Sequence, residues 1–110
     1  MPRENIDALC RSAVEHFGTE SQLNKAQEEC GELIARINHW REGREDSTEN
    51  LISEIADVTI MVNQLAAMFS ADKIDEEVQR KLVRLKDRIR NDRSSHGQKD
   101  MVIGKKRIEH

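Results

Sequence analysis

Two acidic pairs hold the chemistry that this chain spells out. Glu29 and Glu32 stand in the run Glu29-Cys30-Gly31-Glu32, and Glu54 and Asp57 in Glu54-Ile55-Ala56-Asp57. A spacing of i, i+3 puts both carboxylates of a pair on one face of a helix. The second pair lies inside the most apolar stretch of the protein, residues 51–69. An ionised carboxylate is costly to bury without compensation, and a hard cation bound through oxygen supplies it. All-oxygen ligation suits Mg²⁺, Mn²⁺ or Ca²⁺ and matches zinc poorly. Mg²⁺ keeps several waters and shares its coordination with phosphate oxygens, so such a pocket points to a phosphate-bearing ligand. Glu29 and Glu32 alone read as solvated acids of a helix surface. Glu54 and Asp57, with apolar neighbours on both sides, have little room for that reading. Glu28 projects about 100° away from Glu29 and is secondary.

The elements that must position these acids are helices. Of the 110 residues, 35% are charged, 36% hydrophobic and only 3% aromatic, with one Pro and five Gly. That profile favours amphipathic helices over strands. Residues 5–17 predict a first helix capped by Asn5, with Gly18 at its C′ position. Thr19 to Gln22 reads as a capping box opening a second helix that runs to about Glu42. Leu23, Ala26, Cys30, Leu33, Ile34, Ile37 and Trp40 trace its 3.6-residue face. Ser47 or Thr48 caps a third helix ending near Phe69, apolar on most sides and therefore central or at an interface. A fourth helix follows Ser70–Lys73, with Ile74, Val78, Leu82, Leu85 and Ile89 as its stripe. Short connections favour antiparallel neighbours, so the expected architecture is an all-α, up-down four-helix bundle with the second and third helices side by side. Residues 1–93 form one helical domain in this reading, and 94–110 a basic, flexible tail.

Composition narrows the partners. The net charge of −3 gives no global signal for nucleic acid or an anionic membrane. Glu54, Asp57, Asn63 and Gln64 argue against a lipid-exposed span over residues 51–69. Cys10 and Cys30 form neither a C-x-x-C motif nor a disulfide framework, and read as reduced, mostly buried thiols of a cytoplasmic protein. The hydrophobic supply is modest for this length, so an oligomer buries apolar surface more readily than a lone bundle. The histidines, His16, His39, His96 and His110, supply no Glu-x-x-His for a di-iron bundle. Walker, G-x-S-x-G and G-x-G-x-x-G motifs are absent.

With Glu29-x-x-Glu32, a spacer of twenty-one residues and Glu54-x-x-Asp57, the chain resembles the MazG-like, all-α nucleoside triphosphate pyrophosphohydrolases. The flanking runs Glu28-Glu29-Cys30-Gly31-Glu32-Leu33-Ile34 and Glu54-Ile55-Ala56-Asp57-Val58 match as well. Lys81 to Ile89 resembles the corresponding helix of small, phage-like members. The resemblance covers about residues 20–90. It implies a four-helix bundle assembled as a homodimer or a dimer of dimers (a homotetramer). It also implies Mg²⁺, or Mn²⁺, between the acidic helices, with Glu29, Glu32, Glu54 and Asp57 as metal ligands and catalytic groups. The implied reaction cleaves an NTP or dNTP to the monophosphate and pyrophosphate.

Other side chains have two uses each. Lys25, one turn before Glu29, is a phosphate contact or a surface lysine. Lys81 and Arg84 neutralise a triphosphate or are solvated charge. Gln22 belongs to the capping box or touches substrate. Trp40 is core, interface or a base-stacking ring. His39 is expected to be exposed, and Met61 and Met68 to be core. Asn63 and Gln64 read a base or bridge a subunit interface. The rival readings are a dUTPase-like or phosphoribosyl-ATP-type hydrolase, and a non-catalytic helical interaction protein with a structural or degenerate metal site. Nucleic-acid binding through the basic tail is a weaker third.

Overall fold

The computed structural model describes residues 1–92, and all four elements in it are helices. They are α1 (Arg3–Phe17), α2 (Thr19–Arg41), α3 (Ser47–Met68) and α4 (Ala71–Asp92), with no strand among the described residues. The fold is therefore all-α with four helices, as the periodicity predicts. The basic tail at 94–110 lies outside the described residues. Two compact units are present, Met1–Ala71 and the segment from Asp72 onward.

The first unit is built around α3. α2 packs along it most extensively, α1 packs against it second, and α1 touches α2 least. α1 and α2 are joined by Gly18 alone, at φ 93° and ψ 148°. Its N–H donates to the Val14 carbonyl at 2.8 Å, and its carbonyl accepts from the Gln22 N–H at 3.1 Å. One residue thus closes one helix and opens the next, in backbone space that only glycine enters freely. α2 ends in a Schellman motif. The Gly43 N–H donates to the Trp40 carbonyl at 3.0 Å and the Arg44 N–H to that of His39 at 3.1 Å, with Gly43 at φ 72°.

Three caps differ from the sequence reading. α1 starts at Arg3 behind Pro2 rather than at Asn5, and the Pro2 carbonyl accepts from the Asn5 and Ile6 N–H groups at 3.0 and 3.1 Å. α2 has no side-chain cap, and Gln22 spends its amide across the helix interface instead. α3 begins after Asp46, which sits left-handed at φ 60°, and neither Ser47 nor Thr48 caps it through its side chain.

The core is thin. Among the described residues the buried apolar side chains are Cys10, Ala26, Met61 and Ala66, and none of the large ones is fully enclosed. Ile34, Ile52, Ile60 and Val62 lie at least half exposed. α3 is long and apolar enough to cross a membrane, yet it carries Glu54 and Asp57 and packs on two helices. Cys30 is exposed and Cys10 buried, so only one thiol follows the expected pattern. Met68 is half-buried, while Met61 is core as expected.

The second unit is described through α4. Its stripe residues Val78, Leu82, Leu85 and Ile89 are exposed. Glu77 and Arg80 pair one turn apart, and that hydrogen bond holds the Glu77 carboxyl below the usual range.

Two glycines give opposite expectations. Gly18→Ala should destabilise the chain by about 1–3 kcal/mol, because alanine is strained at that φ. Gly31 lies inside α2 with open space where a Cβ would go, so Gly31→Ala should stabilise by about 0.5–1 kcal/mol. Urea unfolding followed by circular dichroism measures both, and the reverse order would contradict this account of the turn.

Candidate metal centre

α2 and α3 run antiparallel, and their pairing sets the site. Gln22 meets Gln64. Seven residues on in α2 and seven back in α3, Glu29 faces Asp57. Because seven residues are nearly two helical turns, side chains of the same face return at both levels. One seam therefore carries an amide pair at one level and an acidic group at the next.

At the acidic level, carboxylate oxygens of Glu29, Glu54 and Asp57 all lie within 4.8 Å of one another. Glu29 is half-buried, Asp57 exposed, and Glu54 only 6% exposed. Glu54 Oε2 is enclosed and accepts no hydrogen bond. An unpartnered carboxylate oxygen inside a protein is a costly arrangement. Burial pushes the Glu54 carboxyl above its ordinary range, and the charges of Glu29, Asp57 and Glu32 push it further the same way. Arg36 opposes them only in part. The donor set is oxygen only, its charge is negative, and one oxygen lacks a partner. A hard divalent cation answers all three conditions.

The other residues named from sequence are placed as follows. Glu32 lies near enough to raise the Glu54 pKa, but its carboxylate is turned to Arg36 at 3.6 Å and stands outside the three-residue cluster. Lys25 is half exposed, with Glu28 as its nearest acid at 3.9 Å. Lys81 and Arg84 lie on α4 in the second unit, where with Leu85 and Arg88 they line a hollow of about 250 Å³. The acidic cluster itself is made by α2 and α3. Trp40 is half-buried, and its indole N–H donates to Thr48 Oγ1 at 3.2 Å across the α2–α3 turn. His39 is half-buried rather than exposed. Asn63 accepts a hydrogen bond from Arg3 at 3.0 Å.

Sequence reasoning named Gln22 and Gln64 but missed their partnership. The Gln22 side-chain N–H donates to Gln64 Oε1 at 2.6 Å, and the pair is buried. The available signal was register: both glutamines lie seven residues from an acid of the motif, on opposite sides of one antiparallel seam.

The Glu54 shift makes a pH prediction. Its folded pKa is raised, so the folded chain binds a proton more tightly than the unfolded one. Stability is then fullest below the unfolded carboxyl pKa and falls as pH rises through the folded value. In metal-free protein, Glu54→Gln should remove that fall and be more stable than wild type at neutral pH. Denaturation midpoints between pH 4 and 8 check this, and an unchanged pH profile would contradict it.

No protein-family model, no curated protein and no solved structure matches this chain.

Proposed function

We propose that this protein is a Mg²⁺-dependent nucleotide pyrophosphohydrolase that cleaves an NTP or dNTP to the monophosphate and pyrophosphate. The observation that carries the proposal is Glu54, which has a carboxylate oxygen within 4.8 Å of those of Glu29 and Asp57 and an enclosed Oε2 without a partner. The MazG-like pattern of the two acidic motifs supports the same reading. Glu29, Glu54 and Asp57 would hold the cation. Glu32, on the face of Glu29 one turn on, would join them on releasing Arg36. When bound, Mg²⁺ neutralises phosphate oxygens and lowers the pKa of a nearby water.

The chain's own groups do the rest. Water attacks the α-phosphorus, and the bond to the bridging oxygen toward the β-phosphorus breaks. A carboxylate oxygen left off the cation takes the water's proton. Lys25, one turn from Glu29, would meet the polyphosphate. Lys81 and Arg84 are proposed as further phosphate contacts.

Assembly is part of the proposal. Ile34 is 64% exposed and Ile52 62%, in a unit with a thin core. Burying each such side chain fully is worth roughly 1.5–3 kcal/mol. A homodimer or homotetramer of MazG-like bundles, working in the cytoplasm, would cover them.

Two measurements test this reading. A panel of NTPs and dNTPs with Mg²⁺ should yield pyrophosphate, and Glu54→Gln should lower kcat at least about 100-fold, the upper end of what a mere outer-sphere change costs a metal site. Absence of turnover with every nucleotide would sink the hydrolase. Light scattering should give a dimer or tetramer, and Ile52→Glu should shift it toward monomer. A monomeric wild type would remove the assembly.

A further inference from the structure

The seam between α2 and α3 continues past the acids into a second feature. A groove of about 600 Å³ opens there, lined by Phe17, Gln22, Asn24, Lys25, Met61 and Gln64 among others. Met61 lies one turn beyond Asp57 on α3, and Lys25 one turn before Glu29 on α2, so the groove starts where the acidic level ends. The amide pair stands about 10 Å of helix rise from the acids. A bound nucleotide must bridge a similar gap between its phosphate and the far edge of its base. The volume falls in the range of small-molecule sites.

The walls have specific chemistry. Phe17 is 60% exposed at the end of α1, a large ring left to solvent beside a polar floor. Gln22 and Gln64 are each 7% exposed. A carboxamide has two N–H donors and two acceptor lone pairs. The bond between the two glutamines uses one donor of Gln22 and one lone pair of Gln64. The Gln64 amide nitrogen otherwise meets only the sulfur of Met61, at 3.8 Å, a weak acceptor. A donor on Gln64 and the carbonyl oxygen of Gln22 are thus left for a ligand.

The pair is also reversible. If both amides turn over together, Gln64 donates to Gln22 and the unspent donor and acceptor change places. Turning only one sets donor against donor or acceptor against acceptor, so the two move as a unit.

We infer that this groove holds the nucleobase of the substrate, with the Gln22–Gln64 pair on its hydrogen-bonding edge and Phe17 against its face, and that the reversible pair admits both amino-edged and keto-edged bases. The inference rests on the proposed nucleotide chemistry for its ligand class, and adds the residues that contact the base. Cytosine offers an amino donor where uracil offers a keto acceptor, on rings of one shape. One orientation of the pair suits each.

The test reads the groove without the metal centre. ¹⁵N-labelled full-length protein in chelator is titrated with cytidine and with uridine. The side-chain NH₂ signals of Gln22 and Gln64 are followed, assigned through Gln22→Met and Gln64→Met. Gln27 and Gln79, both exposed, are internal controls. Both assigned signals should move saturably with both nucleosides while the controls stay fixed. Gln64→Met should weaken binding about tenfold, the cost of one good hydrogen bond. Gln64→Glu, which lacks the donor, should keep cytidine and lose uridine. Signals that move with neither nucleoside, or equal binding by Gln64→Met, would overturn the inference. Binding with no pyrophosphate release from any nucleotide would count against the hydrolysis alone, leaving the groove assigned.

Discussion

The constraint on which this molecule turns is a charge on the wrong helix. α3 is the most apolar element and the one the first unit packs around. Glu54 stands on it at 6% exposure with an oxygen that nothing in the described residues satisfies. Ionised, that group opposes folding through desolvation and through repulsion by Glu29, Asp57 and Glu32. Protonated, it would be tolerable but chemically idle at neutral pH. A divalent cation would reconcile an ionised Glu54 with burial, and this is the ground of the proposed metal site.

The antiparallel register of α2 and α3 turns this local problem into an extended site. A repeat of seven residues brings the same helix faces back into opposition nearly two turns away. The register that sets Glu29 against Asp57 also sets Gln22 against Gln64. A shift of one residue would rotate each face by about 100° and scatter both groups. The turns at either end hold that register. Gly18 passes the chain from α1 into α2 in a single residue, and the Gly43 Schellman motif with the Trp40–Thr48 hydrogen bond closes the other end.

Much of this was legible in the sequence. Four helices follow from 3.6-residue periodicity, and the glycines at 18 and 43 mark their ends because each needs positive φ. The pairing of Glu29 with Glu54 and Asp57 followed from two i, i+3 motifs on neighbouring helices. What the sequence did not give were choices among competing partners. Glu32 sits on the right face, yet Arg36 one turn on offers it a salt bridge. Gln22 has the right spacing for a capping box, yet a buried amide gains more from Gln64 than from an exposed helix end. Cys30 fits the apolar period of α2 but lies on a side left open to solvent. Such choices depend on which groups meet across helices, and a pattern within one helix does not encode that.

The central claim is that Glu54 is buried in order to hold a cation. Mn²⁺ titration of metal-free protein, followed by electron paramagnetic resonance of the free ion, tests it without reference to any substrate. The account predicts saturable binding that Glu54→Gln abolishes and that Glu45→Gln, at an exposed acid of the α2–α3 turn, leaves intact. Equal binding by wild type and Glu54→Gln, or no binding by wild type, would contradict it.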